Sequence, residues 1–181
     1  MRIIGGKFSG RIITAPNNLP VRPTTDYAKS GIFNILIHRI DFEALTVLDL
    51  FAGIGGMSVE FISRGAKQVT AVDINEKCFA FIKDIAIKFG ISNLRVVRSD
   101  VFRFLKNCDS TFDLIFADAP FEMKDSDRLP EMVSEKKLLN ENGLLIIEHH
   151  SKRTINSKFV PAEVRTYGNC AFSIFTAESL S

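Results

Sequence analysis

The sequence contains no tryptophan and little cysteine or histidine, and it lacks a long apolar run. Its three cysteines lie far apart without a C-x-x-C pair, which argues against a disulfide framework or zinc site and for a reducing cytoplasm. No apolar stretch approaches the roughly 20 residues of a transmembrane helix. The N-terminus, MRIIGGKFSGR, has no long apolar segment and no small-residue cleavage site, so we expect no secretory signal.

The cysteines and histidines suggest no chemistry of their own. We expect Cys78, Cys108 and Cys170 to be buried, unreactive thiols, and we expect no metal site. The histidines suit neither a general base nor a metal ligand, so we expect them at surface or helix-edge positions. They are His38, His149 and His150.

The sequence is rich in apolar residues, and its charge is unevenly distributed. A hydrophobic fraction of 46% with 16 Phe predicts one globular domain with a sizeable core. The net charge of +2 divides into +5 over residues 1–40 and −3 over the rest. This basic segment favours contact with a polyanion, although a solvated, flexible leader has the same composition. Its basic residues are Arg2, Lys7, Arg11, Arg22, Lys29 and Arg39.

Five compact apolar runs alternate with segments of helical periodicity. The runs are TVLDLF (46–51), QVTAVDI (68–74), LRVVRSD (94–100), FDLIFAD (112–118) and GLLIIEHH (143–150). Helical spacing occupies residues 56–64, 75–89 and roughly 127–140, and Asn142-Gly143 is typical of a helix stop. Near-continuous apolar strands separated by helices predict a parallel sheet covered on both faces.

The two ends of the chain have other patterns. Residues 1–25 are rich in Gly, Pro, Asn and Thr, as in an extended arm or hairpin. Asp26 is a candidate N-cap for a helix over about 27–40. Residues 162–176 indicate two more strands around the turn Tyr167-Gly168-Asn169.

The predicted fold is a doubly wound α/β, mostly parallel, seven-stranded Rossmann-like sheet with a C-terminal antiparallel hairpin. We divide the chain into residues 1–40, an N-terminal arm and helix, and residues 41–181, the sheet domain, as parts of one unit.

The turn after the first strand carries the first candidate binding residues. Ligands of open α/β sheets bind outside the carboxyl ends of the strands, and glycines such as Gly53 and Gly55 allow close approach of the backbone. The G-x-G-G pattern alone is weak. Asp49 sharpens it, because a carboxylate at this strand end suits an amino-acid ammonium better than a pyrophosphate.

Two further acids close the second and third strands. Asp73 lies 18 residues after Gly55, where a carboxylate can accept hydrogen bonds from a ribose diol. Asp100, followed by Val101 and Phe102, is placed to accept from an adenine amino group, with Phe102 or a neighbour packing on the ring. Each acid alone is more often a helix cap or loop carboxylate, but three at successive strand ends predict one shared crevice.

The fourth strand ends in Asp118-Ala119-Pro120-Phe121, a turn suited to methylation of an exocyclic amino group. An sp² nitrogen must rehybridise before it takes a methyl group. Two acceptors, the Asp118 carboxylate and a carbonyl of the turn, favour that geometry and stabilise the growing positive charge. Pro120 stiffens the turn, and Phe121 offers a face to a base. The alternative is a proline-containing strand exit with a buried phenylalanine.

These segments together resemble class I amino-directed methyltransferases, whose fourth motif is D/N-P-P-Y/F/W. RIIGGKFSGR, VRPTTDYAKSGIFNIL, VLDLFAGIGG, FDLIFADAPF and the RTYGN turn are similar to the RsmD family of bacterial 16S rRNA guanine-N2 methyltransferases. The resemblance covers most of the chain. It implies that S-adenosylmethionine donates a methyl group to a guanine of small-subunit ribosomal RNA, with a ribonucleoprotein as partner in the cytoplasm and the arm as an RNA contact.

The resemblance also implies roles for individual residues. In the donor site these are Asp49, Gly53 and Gly55 of the loop, Asp73 as the ribose acid, and Asp100 with Val101 at the adenine. The catalytic turn is Asp118, Ala119, Pro120 and Phe121. The R-P-T-T stretch beside the active site is Arg22, Pro23, Thr24 and Thr25, of which Arg22, Thr24 and Thr25 are expected to bind substrate.

Three positions depart from the family pattern. Ile54 replaces a small polar residue of the glycine loop, and Ser30 stands where an acid is usual in the arm's helix. Ala119 replaces the first proline of the fourth motif. Its carbonyl remains, and losing a proline typically matters by only about 0.4–1 kcal/mol.

Other readings of the motifs divide into those that fail and those that stay open. Cytosine-C5 methyltransferases share DLFAGIGG but need a cysteine after a proline, and here Phe121 follows Pro120. A nicotinamide-dependent oxidoreductase is disfavoured by the short glycine loop. Methylation of adenine-N6 or protein glutamine stays open, as does a module that binds donor and RNA with weakened catalysis.

Overall fold

A computed structural model describes residues 1–16, 19 and 24–181. Within these residues the chain forms a sheet of seven strands. They are β1 (Thr46–Leu50), β2 (Gln68–Asp73), β3 (Leu94–Arg98), β4 (Phe112–Ala117), β5 (Leu139–His150), β6 (Glu163–Tyr167) and β7 (Cys170–Thr176). The helices are α1 (Asp26–Leu36), α2 (Gly56–Ser63), α3 (Glu76–Phe89), α4 (Val101–Lys106) and α5 (Leu129–Glu135).

The strand order is β3-β2-β1-β4-β5-β7-β6, with the first five strands parallel and β7 antiparallel to both β5 and β6. The predicted fold class is therefore confirmed. Two apolar clusters cover the two faces of the sheet, which explains why β1 and β4 are apolar at nearly every position.

The chain builds the sheet outward from β1 in one direction and then returns to add β4 on its other side. This reversal leaves a crevice outside the carboxyl ends of β1 and β4. Within the described part of the chain, no helix is both long and apolar enough to cross a membrane.

The N-terminal arm packs on α2. The backbone N–H groups of Ile4 and Gly5 each donate to the Glu60 carboxylate at 2.8 Å, and the Phe8 N–H donates to Ser63 Oγ at 2.9 Å. Gly6 has a φ of 73°, and a Cβ there would lie 1.8 Å from the Ser63 carbonyl oxygen, so only glycine fits. The arm is thus held by the same helix that begins in the glycine loop.

The predicted bounds of the first helix are wrong at both ends. Its N-cap is Thr25, whose hydroxyl accepts from the Ala28 N–H at 3.2 Å, and Asp26 is already the first helical residue. The helix ends at Leu36 instead of residue 40, because the chain turns at residues 37–39 and passes through a short 3-10 helix (Phe42–Ala44) before β1.

The predicted helix over 127–140 is also wrong in extent. The helix spans Leu129–Glu135, and Lys137, with a φ of 51°, turns the chain into β5, which begins at Leu139. Asn142, with a φ of 62°, therefore lies inside a strand, where the β4–β5 register shifts. The Asn-Gly pair forms a strand irregularity and no helix stop. Helix α4 was not predicted, because its six residues are too few to show a period.

Candidate active site

A cleft of about 930 Å³ opens at the carboxyl ends of the parallel strands, within the size range of small-molecule sites. Most of the predicted site residues lie on its wall. They are Asp49, Gly53, Asp73, Asp100, Val101, Asp118, Ala119, Pro120, Phe121, Thr24 and Thr25. Gly55 faces away from the cleft, since a Cβ there would meet Ile82 of α3 at 3.0 Å. Arg22 and Pro23 lie outside the described residues.

The loop after β1 is held in an unusual backbone conformation. Phe51, Gly53 and Gly55 have φ values of 59°, 54° and 76°, in the left-handed region. The Gly53 N–H donates to Asp73 Oδ2 at 2.8 Å, which ties this loop to the end of β2. Ile54, which replaces a small polar residue, is buried against the cleft. The loop therefore presents its backbone to the cleft at a fixed position.

Asp49 is the most deeply buried of the acids on the cleft wall, with 2% of its surface exposed. Its Oδ2 accepts a hydrogen bond from Ser58 Oγ at 2.5 Å. Burial raises the pKa of Asp49 to about 7, and the neighbouring charge of Asp73 adds to the rise. A desolvated carboxylate of this kind is stabilised in its charged form by a cation placed beside it.

The two other acids have different surroundings. Asp73 is half-buried and accepts from the N–H groups of Gly53 and Asn75, each at 2.8 Å. Asp100 is exposed at the rim and caps α4, accepting from the Arg103 N–H at 2.9 Å. Asp73 thus binds loop backbone and Asp100 caps a helix, which are common roles of such acids. Both side chains nevertheless border the cleft.

Apolar residues line the cleft between these acids. Val101 is buried there, whereas Phe102 packs on the same apolar cluster away from the cleft and contacts Phe51, with 6.4 Å between the ring centroids. Of the two residues that follow Asp100, Val101 thus lines the cleft and Phe102 does not. Ile74, missed by the sequence reasoning, is 65% exposed on the same wall. Its position directly after Asp73, the acid at the end of β2, could have indicated that it lines the cleft.

The turn after β4 borders the same cleft as the glycine loop. The Asp118 N–H donates to the Leu50 carbonyl at 3.3 Å, which fixes the turn to β1. Ala119 is buried. Phe121 is half-buried and belongs to neither apolar cluster, so it is a cleft residue and not a core residue. Its ring meets the edge of His150 at a centroid distance of 5.8 Å.

The histidines are only partly where they were expected. His38 is exposed after α1, but His149 is buried in β5 with its Nε2 at 2.8 Å from Ser173 Oγ. The surface or helix-edge prediction is wrong for His149, because an apolar strand buried on both faces leaves no exposed position. Burial lowers its pKa and keeps the ring neutral. The cysteines are buried and free, as predicted.

A further cleft residue, Glu148, was missed by the sequence reasoning. It lies within the buried part of β5 and is 5% exposed. Its carboxylate accepts from Thr24 Oγ1 at 2.7 Å and from Cys170 Sγ at 3.2 Å. Burial, followed by the charge of Glu148, raises the pKa of the Cys170 thiol. The signal was an acid inside the otherwise apolar run GLLIIEHH.

Several basic residues of the N-terminal segment have acidic partners. Lys29 is buried, with its Nζ 3.4 Å from Glu60 Oε2 and donating to the Arg2 carbonyl at 2.5 Å. Burial lowers the pKa of Lys29, although Glu60 opposes the shift. Arg39 pairs with Glu163 at 2.7 Å. The +5 balance of residues 1–40 therefore overstates the charge available to a polyanion.

The fold and the cleft define the class of protein. A doubly wound sheet whose cleft is bordered by acids at the ends of its first three strands is that of a Rossmann-like methyltransferase. Among the described residues, no group of three or more His, Cys, Asp and Glu side chains is placed to hold a metal ion.

The chain belongs to the family described as Conserved hypothetical protein 95, whose model matches residues 1–176. Membership of the RsmD family, predicted from the motifs, is confirmed.

Two curated relatives carry the name Ribosomal RNA small subunit methyltransferase D. The protein of Buchnera aphidicola subsp. Baizongia pistaciae is 31% identical over 161 residues, which cover 89% of this chain and 81% of the relative. The protein of Escherichia coli (strain K12) is 28% identical, covering 99% of this chain and 91% of the relative.

A solved structure of similar architecture is that of the hypothetical protein TTHA0928 of Thermus thermphillus. It superposes with a TM-score of 0.84 at 25% identity and covers 97% of this chain and 98% of the other.

Proposed function

We propose that the protein transfers the methyl group of S-adenosylmethionine to the exocyclic amino group of a guanine in small-subunit ribosomal RNA. The observation that carries this function is the opening of the Asp118–Phe121 turn into the same cleft as Asp49 and Asp73. The names of the curated relatives support the choice of small-subunit RNA.

The donor would lie along the ends of β1, β2 and β3. Asp49 would pair with its ammonium group, the backbone at Gly53 and Gly55 would shape the loop around it, and Asp73 would accept from the ribose hydroxyls. Asp100 and Val101 would hold the adenine, with Ile74 on the other side. When bound, S-adenosylmethionine supplies an electrophilic methyl group.

The turn after β4 would prepare the base. The Asp118 carboxylate and the Ala119 carbonyl would each accept one hydrogen of the amino group, which frees its lone pair for the methyl carbon. The freed lone pair would take the methyl group, leaving the electron pair of the donor's S–C bond on sulfur, and the nitrogen would then lose a proton to water. Phe121 would stack on the base, an interaction worth about 1–3 kcal/mol.

The RNA would reach the cleft over the arm. Lys7 and Arg11 are exposed there, and Arg22 precedes Thr24 and Thr25 in the chain. A small-subunit ribonucleoprotein in the cytoplasm is the proposed partner, and the proposed chemistry uses no metal.

Single-turnover methylation of rRNA by Asp118→Ala tests this function. We expect a loss of about 10²–10³ in rate, by analogy with the removal of an oxyanion-hole donor, and nearly unchanged donor affinity by calorimetry. Asp109→Ala, at an exposed loop acid, is the matched control and should keep the wild-type rate.

A map of base methylations absent from cells that lack the protein identifies the nucleotide. Methyl transfer to adenine-N6 or protein glutamine, or donor binding without turnover, would replace the proposed function. An Asp118→Ala protein with the wild-type rate would place the catalytic turn elsewhere.

A further inference from the structure

A buried carboxylate, that of Glu148, lies at the same level of the sheet as the proposed catalytic Asp118. Strands β4 and β5 are parallel with Ala117 opposite Ile147, so Asp118, directly after β4, is level with Glu148, which is still within β5. Neighbouring strands lie about 5 Å apart. Both acids line the cleft, and both act on the thiol of Cys170, raising its pKa after the larger effect of burial. The two carboxylates therefore face one region of the cleft.

The Glu148 carboxylate is held in one orientation by two elements far apart in sequence. Thr24, next to α1, donates to its Oε2 at 2.7 Å, and Cys170 of β7 donates to its Oε1 at 3.2 Å. Burial of a carboxylate costs several kcal/mol of solvation, which an apolar residue at this position would avoid. A fixed acid on the cleft wall is instead suited to read a hydrogen-bond donor of a ligand.

We propose that Glu148 determines specificity for guanine by accepting a hydrogen bond from N1–H of the target base. This inference rests on the proposed function, in which Asp118 and the Ala119 carbonyl take the hydrogens of the neighbouring amino group. Guanine carries a donor at N1 beside its amino group, whereas adenine carries a lone pair there. A carboxylate at this place binds the first arrangement and repels the second.

The test replaces the mapped guanine of the RNA by 2-aminopurine, which keeps the 2-amino group but has a lone pair at N1. Single-turnover rates are measured on both RNAs with the wild-type protein and with Glu148→Gln. We expect Glu148→Gln to lose about 10- to 100-fold on guanine and to gain on 2-aminopurine, because its amide donates to N1. The intrinsic reactivities of the two bases cancel when the guanine/2-aminopurine ratios of the two proteins are compared.

Two matched variants separate specificity from folding. Glu148→Asp keeps the acceptor and should retain the preference for guanine at a lower rate. Cys170→Ala removes a donor to Glu148 without removing the acceptor, so it should also retain the preference for guanine. Donor affinity by calorimetry should equal that of the wild type in all three variants, since the donor contacts lie on β1 to β3.

An unchanged guanine/2-aminopurine ratio in Glu148→Gln overturns the inference, whether both rates fall together or neither falls. Failure of the proposed function looks different, because the wild-type protein would then methylate no guanine in the RNA, and the inference would fall with it.

Discussion

Three carboxylates of the cleft differ in burial, and their chemistry differs accordingly. Asp49 is desolvated and has a raised pKa. Asp73 is held by two backbone N–H groups, and Asp100 stands in solvent at a helix cap. Burial of a charged carboxylate is unfavourable in free energy unless a cation lies beside it. An ammonium group placed next to Asp49 would therefore stabilise its charged form.

If Asp49 binds the donor as proposed, donor affinity and stability should depend on pH in opposite directions. Because its pKa in the folded protein is about 7, against a usual 3.8, the folded state holds a proton that the unfolded chain releases over this range. Its contribution therefore lowers the free energy of unfolding as pH rises from about 4 to 7. Donor affinity should instead increase with pH through about 7, as the carboxylate ionises.

Asp49→Asn tests both effects. We expect it to unfold at higher urea than the wild type at pH 8, with a smaller difference at pH 5, and to lose donor affinity and its pH dependence. Asp109→Asn serves as the exposed control. A stability difference between Asp49→Asn and wild type that is the same at both pH values would contradict the raised pKa.

At the scale of elements, Glu60 joins the arm, α1 and α2. Its side chain is fully buried, and besides the arm's backbone it meets Lys29 at 3.4 Å and Arg64 at 2.9 Å. Arg64 in turn lies over the ring of Phe33, 4.4 Å from its centroid. The Glu60 side chain on α2 thus holds both the arm and α1 in place.

We expect Glu60→Ala to lower the free energy of unfolding by about 3–5 kcal/mol, because it leaves Lys29 buried without its carboxylate. Lys29→Met should cost less, since Glu60 keeps Arg64 and two backbone donors. Urea denaturation measures both. Glu43→Ala, at an exposed acid, should fall within about 0.5 kcal/mol of wild type. Equal losses in Glu60→Ala and Glu43→Ala would refute the role of the buried acid.

At the level of the whole molecule, different parts of the cleft are proposed to bind the donor and the base. The proposed donor contacts lie on β1 to β3, and the proposed base contacts lie on β4, β5 and the arm, so changes to one side should leave the other intact. The exposed cations of the arm, Lys7 and Arg11, lie beside the rings of Phe8 and Phe89. They belong to the face of the sheet that carries α2.

Removing both cations, in Lys7→Ala/Arg11→Ala, should weaken RNA binding and reduce the slope of log affinity against log salt by about 1.4–1.8. The matched control, Lys106→Ala/Lys136→Ala, changes two exposed lysines near α4 and α5, which cover the opposite face. Filter binding over a salt series measures the slopes. Identical slopes for both double variants would mean that the arm is only structural, and donor affinity should not change in either.

The fold could be predicted from the apolar runs of the sequence, and so could the edge of the sheet at which the cleft opens. The predicted ends of the first four strands differ from the observed ends by at most two residues. These strands could be recognised because a strand buried on both faces has an almost uninterrupted apolar sequence. The acids closing β1 to β4 could be assigned to one edge, since parallel strands share the edge at which they end. The identity of the methyl donor and the RNA substrate were predicted from the family motifs.

The burial and pairing of charged side chains could not be predicted, because they depend on packing between distant segments. In the sequence Lys29 is one more basic residue of the N-terminal segment, but in the fold it is buried against Glu60. Glu148 is held at the cleft by a hydrogen bond from Thr24, which is 124 positions away in the sequence. Local sequence contains no signal for such pairs, because burial and partner are set by elements distant along the chain. The Asn142-Gly143 pair shows the same limit, since a left-handed residue ends a helix or bends a strand according to the neighbour it pairs with.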